Sequence, residues 1–64
     1  MILVVAYILN GQYEEGEVVV LDNLNKENQY GESFNVILNE EIKEQENRGI
    51  THPDFEKVRQ FFKN

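Results

Sequence analysis

The chain has 64 residues, no cysteine, one histidine and a formal net charge of −6. That length holds one domain around a single small core, and the missing thiols exclude disulfides and thiolate zinc sites. With six basic residues against twelve acidic ones, the clustered cations that phosphate backbones and anionic membranes require are absent, so neither direct nucleic-acid binding nor membrane binding is expected.

Met1 to Leu9 is a run of nine residues without a charge, closed by Asn10-Gly11. It is too short to span a bilayer, which takes about 20 residues as a helix. It also lacks the basic start and small-residue cleavage site of a secretory signal. A short apolar run bounded by a turn signal reads as a buried strand, in a soluble cytoplasmic protein. Val18 to Leu21 is a second such run. Neither alternates with polar residues, so both are expected to be buried on two faces.

Asn10-Gly11 suits a tight hairpin turn, which would set Leu3 opposite Val18 but Val4 opposite Glu17. A wider loop over residues 10–16, or a bulge at Gly16, pairs Tyr7 with Val18 and Val5 with Val20, which matches apolar with apolar. Residues 22–31 are polar and rich in Asn and read as a loop. Ser33 to Leu38 then alternates, with Phe34, Val36 and Leu38 on one side, and reads as a third strand near an edge.

Asn39 is a candidate N-cap for a short helix over 40–48 that stops at Gly49. Ile42 is the single apolar residue of that segment, so little of it can be buried. The last helix is better specified. Either Thr51 caps it with Asp54 at capping-box spacing, or His52 caps it and Pro53 is its first residue. Phe55, Val58 and Phe62 recur at helical spacing with Phe61 beside them, which gives the helix one apolar face. The expected fold class is therefore α+β: a small three-stranded antiparallel sheet in the order β-β-β, then a short surface helix, then an amphipathic helix packed on one sheet face.

Several constellations carry residue types that chemistry uses. His52-Pro53-Asp54 resembles the loop tripeptide of J-domain co-chaperones, which joins two helices behind a basic helix. Here the match covers three residues, the preceding stretch Glu40 to Glu46 is acidic and the rest reads as strands, so the tripeptide is taken as a helix start. Ser33, His52 and Asp22 or Asp54 are the residue types of a hydrolytic triad, but no nucleophile-elbow sequence surrounds Ser33. The loop from Asp22 has Leu24 and Lys26 where a calcium loop needs oxygen ligands. Four scattered glycines make no phosphate-binding loop. No catalytic residue, metal ligand or cofactor is expected.

Two expectations about partners remain. A chain this small buries only about 60% of the surface it exposes when unfolded, and without disulfides or a metal the remaining compensation is oligomerisation. One helix covers one face of the sheet, so Ile2, Val4, Val5, Val18 and Val20 on the other are expected to form a homodimer interface. Residues 1–39 also hold six carboxylates against Lys26 alone. Tyr13, Glu14, Glu15 and Glu17 mix an aromatic ring with carboxylates and are the candidate contact with a basic protein. The function this supports is a non-enzymatic interaction protein acting as a homo-oligomer. The alternative is an acidic inhibitor, or nucleic-acid mimic, that fills the basic site of a nucleic-acid-handling enzyme or regulator.

Overall fold

A run that is apolar throughout has no period, so composition alone does not decide whether it winds or extends. In the computed structural model, which describes residues 3–62, it winds. Among the described residues there are four helices and no strand: α1 Leu3–Leu9, α2 Tyr13–Asn23, α3 Phe34–Asn47 and α4 Pro53–Gln60. The only sheet-like pairing among them is an isolated antiparallel bridge between Glu27 and Ser33. The expected α+β class with a three-stranded sheet is therefore wrong, and the fold is all-α.

Each misread segment has a local reason. In α1 the buried positions are Val4, Val5 and Ile8, one helical stripe that no polar residue marks off on the opposite side. Asn10-Gly11 is a turn as expected, but it reverses two helices. Gly11 has φ +77°, and the N–H of Gly11 donates to the Ile8 carbonyl and that of Gln12 to the Tyr7 carbonyl, at 3.0 and 2.8 Å. That pair of bonds is the glycine-terminated helix end known as a Schellman motif, which satisfies carbonyls left open in the last turn. Gly49, at φ +85°, ends α3 in the same way, with Ile50 N–H donating to the Gln45 carbonyl at 2.9 Å.

The third expected strand is the first turn and a half of α3. Ser33, in extended conformation, is the N-cap, not Asn39. Phe34, Leu38, Ile42 and Gln45 then fall at spacings of four, four and three, and the last three are buried. Ile42 has neighbours on its own face once the helix begins at Phe34, which is why a residue expected at the surface is fully buried. Gln45 takes an otherwise apolar position, and its side-chain N–H donates to Glu41 at 3.1 Å. The last helix is the one the pattern describes: His52 is the N-cap, Pro53 opens the helix, and Phe55 and Val58 are buried.

Val4, Val5, Ile8, Val20, Leu38, Ile42, Phe55 and Val58 form one core, with Phe34, Phe61 and Phe62 half-buried against it. α1 packs chiefly on α2, with smaller contacts from α1 to α3 and from α2 to α4. The first of these is close at Gly16, where a Cβ would lie in ordinary contact, 3.4 Å from Tyr7 Cβ and 3.5 Å from the Val4 carbonyl oxygen. α4 is held to α3 by Arg59, whose guanidinium donates to both carboxylate oxygens of Glu46, at 2.5 and 3.1 Å, and also pairs with Glu56. Among the described residues no helix is long and apolar enough to cross a membrane.

The close crossing gives a graded prediction. A methyl group fits at Gly16 in ordinary contact, and alanine favours helix by about 1 kcal/mol over glycine, so Gly16→Ala is expected to keep or raise the melting temperature. Gly16→Leu forces the helices apart and is expected to cost about 1–3 kcal/mol. Thermal melts followed by far-ultraviolet circular dichroism distinguish the two, and a strand-type spectrum for the wild type would contradict the fold itself.

Arg59 gives a second. Its hydrogen bonds, opposed by burial and reinforced by its charge, hold the Glu46 carboxyl below the ordinary glutamate range. A depressed folded-state value contributes stability that is complete above the unfolded pKa of about 4.3 and is lost as pH falls through the folded value. Arg59→Met is expected to destabilise the fold at neutral pH by about 1.5–3 kcal/mol and to flatten that acid limb, as measured by urea unfolding across a pH series.

Candidate interaction surface

α2 is amphipathic in an unusual sense, because both of its faces carry apolar residues. Gly16 and Val20 are buried, while Val18 is 58% and Leu21 52% exposed. At 100° per residue, Glu14, Val18 and Leu21 share one side at spacings of four and three, and Glu15 and Asp22 border it. Glu14, Glu15 and Asp22 are exposed, and among the described residues none of the three forms an ion pair. Glu14 and Glu15 also stand in the first turn of α2, where the helix dipole favours negative charge. No Lys or Arg occurs anywhere in α1 or α2.

The four residues expected to meet a basic partner divide in the structure. Glu14 and Glu15 project to solvent with Val18. Tyr13 turns instead towards α4, and Glu17 is only partly exposed. The Tyr13 ring is half-buried against the core, with Lys57 Nζ 5.0 Å from its centroid and Lys57 in turn 3.3 Å from Asp54. Burial, a hydrogen bond to Glu17 and the charges of Glu17 and Asp54 push the Tyr13 phenol above its ordinary range. Tyr13 is thus a packing residue at the α2–α4 junction. Leu21 and Asp22, which complete the outward face, were assigned by sequence to a buried strand and to a loop. The spacing from Glu14 to Leu21 is the signal, and it has meaning only on a helix.

The expected subunit interface is not a surface. Val4, Val5 and Val20 are at most 1% exposed within the single chain, because α1 and α2 pack with α3 and α4 where a second subunit was expected. Val18 alone among the described candidates faces outward, and Ile2 lies outside the described residues. Leu3, Tyr30, Val36 and Ile50 are further exposed apolar side chains, of the scattered kind that soluble surfaces commonly carry.

The remaining constellations resolve into local structure. His52 Nδ1 accepts the Asp54 N–H at 3.0 Å, the bond of an N-cap. Ser33 is the N-cap position of α3 and makes no side-chain capping bond. In the loop between α2 and α3, Asn28 Oδ1 accepts the N–H groups of Tyr30 and Glu32, and Asn35, in the first turn of α3, donates its side-chain N–H to Asn25 Oδ1 at 2.8 Å. The asparagines there organise their own backbone. Among the described residues no group of three or more His, Cys, Asp or Glu side chains is placed to hold a metal ion.

Compared with known proteins, the chain matches no family model, no curated protein and no solved structure. For His52-Pro53-Asp54 the objection that the rest of the chain is extended falls with the sheet. The second objection stands, since the helix before it carries Glu40, Glu41, Glu44 and Glu46 against Lys43.

The Tyr13 environment is testable. A folded-state phenol pKa above the unfolded value of about 10 contributes stability that is present below that pH and is lost as pH rises through the folded value. Tyr13→Phe is expected to remove a late-titrating phenol from the near-ultraviolet absorbance titration while leaving the other tyrosines' steps in place.

Proposed function

We propose that this chain is a small non-catalytic interaction protein that binds a basic surface on another protein. The observation that carries the reading is the outward side of α2, where Glu14, Glu15 and Asp22 stand exposed and form no ion pair among the described residues. Such a face attracts a partner of opposite charge, speeds encounter and repels acidic competitors. The basic site of a nucleic-acid-handling enzyme or regulator is one partner of that chemistry, and filling it would make the chain an inhibitor.

A homodimer is the second reading, favoured by the exposure of Val18 and Leu21. Sedimentation at low micromolar concentration separates it from the first.

The test is affinity capture from host lysate with the wild type and with an E14Q/E15Q/D22N variant, each at low and high salt. The expected result is a basic partner retained by the wild type, released by salt and lost to the variant. Capture that is indifferent to both salt and substitution would remove the reading.

A further inference from the structure

The outward side of α2 holds more than charge. Val18 and Leu21 are both more than half exposed and lie between Glu14 on one end and Asp22 and Glu15 on the flank. A face meant only for solubility, or only for imitating a phosphate backbone, has no use for two aliphatic side chains at its centre. Here two apolar anchors stand three residues apart, bordered by charge, which is one step of the pattern by which an apolar groove reads a helix.

Building on the interaction reading above, we propose that this side of α2 is a helical ligand for a partner protein that presents an apolar stripe rimmed by Lys and Arg. Val18 and Leu21 enter the stripe, and Glu14, Glu15 and Asp22 meet the cationic rim. Charge complementarity selects this occupant. Neither α1 nor α2 carries a cation. Lys26, exposed in the loop after α2, forms no ion pair with these carboxylates among the described residues, and Lys57 of α4 is engaged with Asp54 and the Tyr13 ring on the other side of the helix. A second copy laid on this face would oppose carboxylates to carboxylates.

The experiment uses the full chain and two synthetic Leu/Lys peptides of identical composition, one with its leucines in a helical stripe and one with them scattered. The wild type is expected to bind the striped peptide on the order of tenfold more tightly than the scattered one. V18S/L21S is expected to abolish that preference while keeping the weak salt-sensitive binding common to both. E14Q/E15Q/D22N is expected to weaken both peptides, and E27Q/E40Q, which removes charge elsewhere, to leave the preference intact. Circular dichroism confirms that each variant is folded.

If V18S/L21S keeps the preference, or the wild type never shows one, the groove inference is overturned while the acidic-partner reading survives. If E14Q/E15Q/D22N binds both peptides as the wild type does, the acidic-partner reading itself fails. Self-association of the wild type that V18S/L21S abolishes assigns the face to a second copy and overturns the inference.

Discussion

At Gly16 the backbone of α2 meets α1 with no side chain between them, and a Cβ there would already touch Tyr7 and the Val4 carbonyl. The crossing leaves room for a methyl group there and no more, and the way α1 and α2 lie together decides which residues of each helix are inside. It orients Val4, Val5 and Ile8 on one side and Val20 on the other into a common core. It also compensates for poor local preference, because α2 combines three valines with a glycine, all weaker helix formers than alanine. Short helices of such composition are held by packing more than by propensity.

The same geometry decides what is left outside. With Gly16 and Val20 fixed inward, Val18 and Leu21 are carried to the opposite side of the helix beside Glu14, Glu15 and Asp22. The acidic apolar surface is therefore a by-product of how α2 must lie on α1, and no separate structure is needed to display it. Tyr13, further round the helix, lies against Lys57 of α4 at the core's edge. Arg59 anchors α4 to α3 through Glu46, and Arg48 pairs with Glu44 inside α3, so cations of the second half are partly engaged within the fold.

Much of the punctuation was legible in the sequence. Gly11 and Gly49 are chain reversals because they adopt positive φ, and His52-Pro53 opens a helix because proline needs no N–H donor there. The face of α4 followed from Phe55 and Val58. The elements between these marks were misread because their apolar runs carry no internal contrast. A nine-residue run without a charge, closed by a turn signal, fits a strand or a helix equally. Phe34, Val36 and Leu38 alternate over five residues, yet Phe34, Leu38 and Ile42 keep helical spacing over nine, and only the longer pattern is buried.

By itself, then, the sequence determined an acidic chain without thiol chemistry, its glycine-marked turns, its last helix and the excess negative charge of its first half. These follow from residue type and from backbone restrictions that act within a few residues. The winding of the first two runs, the burial of Val4, Val5 and Val20 and the emergence of Val18 and Leu21 beside three carboxylates were decided only by tertiary packing. Which side of an apolar segment faces water depends on what covers the other side, and that information lies in contacts between helices.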